Sequence, residues 1–247
     1  MKISFVISHK FYRGYESYLC YYIENIKKFY NDALIIVVDN NSTHKEDIIN
    51  KLKIFNSVIF LENNITCKYE LGAYQVGIKY LIDNNLEESY DYFVFSQDTF
   101  ILKNKYDFNI LLNNNITACS IVTCKNDWAY MEQHGSPILK KLNLNNKLEQ
   151  SRLCWCNSFI ISNSKIKSLF DYLQNIIIIT RKQSEASERY MGRILLELNN
   201  GKSFDIDGEI DKLSYYCHTV NPYETIANFF CKKAQQKNEY TKKVEIS

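Results

Sequence analysis

Four short apolar runs, each closing on a polar residue or followed at once by one, set the strongest limit on how this chain folds. They are residues 2–8 (KISFVIS), 34–39 (LIIVVD), 57–61 (SVIFL) and 92–96 (YFVFS). Each is too short for a helix and too continuously apolar for a strand with one wet face. Runs of this kind read as strands buried on both faces, which occur in parallel sheets covered by helices. Amphipathic segments lie between them. Residues 15–30 carry Tyr15, Leu19, Tyr22, Ile26 and Phe29 at helical spacing. Residues 69–83 carry Leu71, Tyr74, Ile78 and Leu81 on one stripe, with Gly72, Ala73, Val76 and Gly77 as a small-residue shoulder that lets a helix approach closely. The alternation predicts an α/β fold, a mostly parallel central sheet flanked by helices. Ser8, Asp39, Asn63 and Asp98 then end successive strands on one sheet edge, which is where open α/β sheets bind ligands.

The rest of the chain is less regular. Strands are expected at residues 117–123, 157–162, 203–206 and 213–217, and helices at 164–173, 184–199 and 223–243. A long polar connection through Trp128, His134 and Pro137 separates the first two strands. No repeat or linker divides the 247 residues, so one domain is expected. The formal net charge of +2 gives no electrostatic case for a nucleic-acid partner. The N-terminus has the pattern of a buried strand rather than of a signal peptide. The longest aliphatic stretch, Ile176 to Ile179, falls far short of the roughly 20 apolar residues that span a bilayer. The expectation is a cytoplasmic protein, with Lys232, Lys233, Lys237, Lys242 and Lys243 forming either a solvated tail or a peripheral membrane contact. The eight cysteines are then expected as packing thiols. Cys154 and Cys156, with Cys119, Cys124 and His134, lack the spacing of a structural zinc site.

In order and spacing, FVIS, VVDNNST, ELGAYQVGI and FVFSQDTFIL resemble the GT-A glycosyltransferases of the large family-two group, over about the first hundred residues. The resemblance implies a GT-A-like domain over residues 1–225. Residues 1–103 would bind the nucleotide sugar, 104–225 would hold the acceptor, and 226–247 would add a C-terminal helix and basic tail. It implies transfer of a sugar, with inversion, from a nucleoside-diphosphate sugar to a hydroxyl of a glycan, lipid-linked or protein acceptor. Asp39 would hold the base or ribose, Ser8 would flank the base, and Lys68, Gly72, Gln97 and Asp98 would complete the donor site. The family carries an Asp-x-Asp motif where this chain has Ser96-Gln97-Asp98. Asp98 is therefore expected to share a Mn2+ or Mg2+ ion with His218, whose imidazole favours manganese. Without a metal, Lys68 or Arg13 would neutralise the leaving diphosphate.

The transfer also needs a base for the acceptor hydroxyl. Glu188 shares a helical stripe with Met191, Leu195 and Leu198, which places a carboxylate in line with core residues and suits a general base. The plainer reading is that Glu185 and Glu188 complement a helix N-terminus. Trp155 and Asn157 are the candidate acceptor contacts, an aromatic face and a hydroxyl partner. A methyltransferase or a dinucleotide-binding fold would need a glycine-rich turn after the first strand, where this chain offers only Gly14. A sugar nucleotidyltransferase and a catalytically inactive nucleotide-binding protein stay open as alternatives.

Overall fold

The computed structural model describes residues 1–10, 16–43, 45–124, 129–144, 152–208, 216–217 and 228–233. The four apolar runs become β1 (Ile3–His9), β2 (Leu34–Asp39), β3 (Val58–Glu62) and β4 (Tyr92–Gln97), all parallel. Helices α1 (Glu16–Phe29), α2 (Lys45–Leu52) and α3 (Tyr69–Asp83) connect them in turn. The central sheet is completed by two further strands, β6 (Ala118–Ser120) and β9 (Phe159–Ser162), in the order β3-β2-β1-β4-β9-β6. β9 is antiparallel to both its neighbours. The sheet is thus six-stranded, mixed and mostly parallel, with helices packed on it, as the alternation predicts.

Strand alternation explains the two cores. Phe5 and Ile7 of β1, Ile35 and Val37 of β2 and Val94 of β4 point to one face, where Leu19, Tyr22, Ile23 and Ile26 of α1 cover them. Val6, Ile36, Val38, Phe93 and Phe95 point to the other face, under Leu71, Tyr74, Ile78 and Leu81 of α3. The small shoulder of α3 does what its composition predicts. A Cβ on Gly77 would lie 2.5 Å from Val6 Cγ1, and a Cβ on Gly72 would lie 2.0 Å from the Cys67 carbonyl oxygen.

Several elements depart from the sequence reading. Residues 45–52 form α2, which was not anticipated. The stretch through His134 and Pro137, expected as a polar connection, is helix α5 (Ala129–Lys141). Its proline removes one helical donor, but α5 packs along α7 (Arg181–Leu198), where Gly135 sits 3.1 Å in Cβ terms from Arg189 Cδ. Strand 117–123 divides into β6 and β7 (Thr123–Cys124), the latter paired with β8 (Leu153–Cys154). Two short elements of the first half, β5 (Phe100–Leu102) and α4 (Asn109–Asn113), and helix α6 (Asn163–Leu173) complete the connections.

The segment expected to be a C-terminal helix contains a strand in its described part, β11 (Phe230–Lys233), between β10 (Tyr216–Cys217) and β5. Asp207 fixes it there: its buried carboxylate accepts the backbone N–H groups of Asn228, Phe229 and Phe230 at 2.9, 2.8 and 2.7 Å. Burial pushes this carboxyl up to about 6, against the downward pull of the three N–H groups. Local helix propensity is outbid here by a preformed acceptor and an edge strand to pair with.

Candidate functional site

Reading the sheet order against the chain order locates the crevice. From β1 the chain moves to β2 and β3, then crosses back over the sheet to β4 on the far side of β1. The order therefore reverses between β1 and β4, and connections leaving these two strands diverge beyond their C-terminal ends. Ser8, His9, Asp39, Gln97 and Asp98 all stand at this edge, since Ser8 is in register with Val38 and Gln97, and His9 with Asp39.

Two polar lines cross the edge, one on each face. On the α3 face, Asn40 Nδ2 donates to Ser8 Oγ at 2.9 Å and Asn63 Nδ2 donates to Asn40 Oδ1 at 2.8 Å. Asn63 Nδ2 also reaches the Cys67 carbonyl at 3.0 Å, which ties the ends of β1, β2 and β3 to the loop entering α3. Gly72 lies directly beneath that contact, so its smallness admits the loop. Lys68, the residue before α3, is exposed and its Nζ reaches the Ile65 carbonyl at 3.3 Å.

On the α1 face, His9 Nδ1 and Asp98 Oδ2 are 2.7 Å apart, a pair that bridges the ends of β1 and β4. The same oxygen accepts the Lys10 backbone N–H at 3.0 Å. Lys10 Nζ in turn donates to the Asn40 and Asn41 carbonyls at 2.7 and 2.6 Å, which lays a positive charge across the turn after β2. Asp39 is buried and is committed to that same turn: it accepts the Ser42 N–H at 2.8 Å and the Ser42 hydroxyl. These contacts cap the turn that follows β2. Ser96, first residue of the Ser-Gln-Asp tripeptide, is turned to α1. It is fully buried and its Oγ stands 3.0 Å from the Tyr22 hydroxyl of α1.

The described side chains form no metal site made of protein ligands alone. Among the described residues no three His, Cys, Asp or Glu groups come together, and Asp98 has already given one oxygen to His9 and Lys10. The proposed second ligand, His218, lies outside the described residues, as does Arg13. The zinc reading also fails on geometry, because Cys154 packs into the α3-side core and Cys156 into the α1-side core.

The second group of expected residues sits at the other bank. Trp155, Cys156 and Asn157 form one 3-10 turn in which Cys156 and Asn157 take positive φ angles of 53° and 49°. The turn lies between β4 and α7. Asn157 is buried, and its Nδ2 donates to Ser187 Oγ at 2.7 Å. The Trp155 ring is half-buried against apolar side chains, so its face is partly spent on packing.

Glu188 is half-buried on α7 in the predicted stripe, with Met191, Leu195 and Leu198 buried below it. The helix begins earlier than 184, at a capping box formed by Thr180 and Gln183, so no acidic residue lies in its first turn and the N-terminal dipole does not account for Glu188. The Glu188 charge is near enough to Cys154 to add to the upward push that burial gives that thiol.

The two banks are joined through Glu70, which the sequence reading passed over. Gln97 Nε2 donates to Glu70 Oε1 at 2.6 Å, and Ser184 Oγ donates to Glu70 Oε2 at 2.9 Å. His9 and Lys10 were findable, because they continue β1 by the same logic that picked Ser8. Glu70 carried no signal, since its partners are 27 and 114 residues away.

No family model matches the chain, and no curated protein matches it. Among solved structures it is similar to core-mannan synthase A of Aspergillus fumigatus in its Mn/GDP form. The identity is 10%, the alignment covers 82% of this chain and 72% of that one, and the TM-score is 0.46.

Proposed function

We propose that the chain is a nucleotide-sugar-dependent glycosyltransferase of the GT-A type. The observation that carries the reading is the convergence of Ser8, His9, Asn40, Gln97 and Asp98 at the point where the strand order reverses, beside the start of α3. The nucleoside would lie against the turn that Asp39 and Ser42 hold, with the diphosphate toward the β1–β4 gap. Lys10, over the turn after β2, and Lys68, just before α3, would supply the positive charge that stabilises a departing diphosphate. The acceptor would enter over the Trp155–Asn157 turn.

In the transfer, Glu188 takes the proton of the acceptor hydroxyl. The acceptor oxygen forms a bond to the anomeric carbon as the bond from that carbon to the diphosphate oxygen breaks, and the diphosphate keeps the electron pair. The half-buried carboxylate on a rigid helix suits the role of base. The acceptor is a hydroxyl-bearing glycan, glycolipid or protein.

The test is release of nucleoside diphosphate from a panel of UDP-, GDP- and TDP-sugars, with water or simple sugars as acceptor, followed for wild type and Glu188→Gln. Turnover on one donor, reduced about 100-fold or more in the variant, supports the reading. No release from any donor favours a second reading, a nucleotide-binding protein without turnover. That reading rests on Asp98 being engaged by His9 and Lys10, and on Ser96 being engaged by Tyr22.

A further inference from the structure

We propose that Glu70 is a positioning residue, which sets the approach of α7, with its Glu188, to the donor edge of the sheet. Its catalytic consequence rests on the transferase reading; its structural consequence does not. Glu70 lies in the first turn of α3 and gives one carboxylate oxygen to each bank, Oε1 to Gln97 at the end of β4 and Oε2 to Ser184 of α7. Both partners are neutral donors, so each bond is charge-assisted and directional without a competing cation.

The contacts continue past α7 to the turn that carries Asn157. Ser187 Oγ donates to the Ser184 carbonyl at 2.5 Å and accepts from Asn157 Nδ2 at 2.7 Å. An open path of hydrogen bonds therefore runs from Gln97 through Glu70, Ser184 and Ser187 to Asn157, whose turn packs against β4. Glu70 is the member that contributes from α3 and the one that spans the gap. Glu188 lies one helical turn beyond Ser184 and next to Ser187, so a displacement of the first turns of α7 moves the base directly.

The chemistry distinguishes positioning from direct action. In Glu70→Gln the amide oxygen still accepts from Gln97, and the amide nitrogen donates to Ser184 Oγ, which reverses that bond but keeps its geometry. Glu70→Ala loses both. The experiment compares wild type, Glu70→Ala and Glu70→Gln in the full chain by amide hydrogen exchange of residues 184–188, and by diphosphate release from the turned-over sugar nucleotide. The expected result is faster exchange at 184–188 in Glu70→Ala, with near wild-type protection in Glu70→Gln. Turnover in Glu70→Ala is expected to fall about 10- to 100-fold while the diphosphate Kd stays within about threefold, and Glu70→Gln is expected to recover most of it.

Unchanged exchange in Glu70→Ala overturns the proposal. So does turnover in Glu70→Gln as low as in Glu70→Ala, which would mean the charge itself acts on the substrate. If wild type releases no diphosphate, the transferase reading fails and the exchange comparison alone decides. Should Glu70→Ala not fold, Ser184→Ala cuts one link of the same path and is read the same way.

Discussion

Gly72→Ala is the sharpest single test of how α3 is seated under the crevice. The added methyl would stand 2.0 Å from the Cys67 carbonyl oxygen and 2.5 Å from Asn63 Nδ2. Both neighbours are held, the first as backbone and the second by its bonds to Cys67 and Asn40, so the clash is not relieved by a swinging side chain. Overpacking of this kind costs about 1–3 kcal/mol. Loss of the Asn63–Cys67 hydrogen bond adds about 1 kcal/mol. Against this, alanine in a helix interior gains about 1 kcal/mol over glycine. The net expectation is destabilisation by about 1–3 kcal/mol, seen as a lower urea midpoint at unchanged slope, with a fall in Tm of roughly 2–4 °C for each kcal/mol. Because Asn63 also holds Asn40, nucleoside-diphosphate affinity should weaken in parallel. A variant as stable as wild type would mean that helix propensity outweighs the contact, and would refute the close approach of the 63–67 loop.

Asp207→Asn tests the clamp on β11. The folded protein holds this proton more tightly than the unfolded chain, its carboxyl being raised from 3.8 to about 6. Its contribution is therefore greatest below the unfolded value and is lost as pH rises through about 6, by about 3 kcal/mol in all. Wild type should gain stability over the variant as pH falls from about 6 to 4; a difference that stays flat across that window contradicts the assignment. Gln75→Leu should cost about 2–4 kcal/mol, because Gln75 Nε2 satisfies the buried Leu173 and Ile176 carbonyls at 2.6 and 2.8 Å; a loss below 1 kcal/mol in urea unfolding would count against it. His9→Phe should lower stability by about 1–3 kcal/mol by removing the Asp98 partner, and an unshifted urea midpoint would show that the pair is dispensable.

How much was legible depends on where the information lies. β2 and α3 were placed to the residue, because an unbroken aliphatic run and a clean helical stripe are local signals. The ends of β1 and β4 were each extended by one residue, enough to bring in His9 and Gln97. Other misses were readable in principle: the Thr180-x-x-Gln183 capping box announces the start of α7 three residues before 184. The remaining misses were not local. Pro137 argues against helix until α7 is present to pack on, and β11 forms because Asp207 and β5 wait for it. Ser96 looked like a substituted metal ligand on spacing alone, and only the sheet pleat shows that it points to Tyr22. Glu70, which ties the two banks together, depends entirely on contacts between distant segments.

The central claim, that the β1–β4 edge receives a nucleoside diphosphate, is tested most directly by calorimetric titration of the full chain with UDP, GDP and TDP. Each is run with and without manganese, for wild type, Ser8→Ala and Asp98→Ala. The account predicts that one diphosphate binds wild type with single-site stoichiometry, that both variants weaken it, and that any manganese requirement disappears in Asp98→Ala. Absence of binding by all three nucleotides in both conditions, or binding that both variants leave untouched, would contradict it.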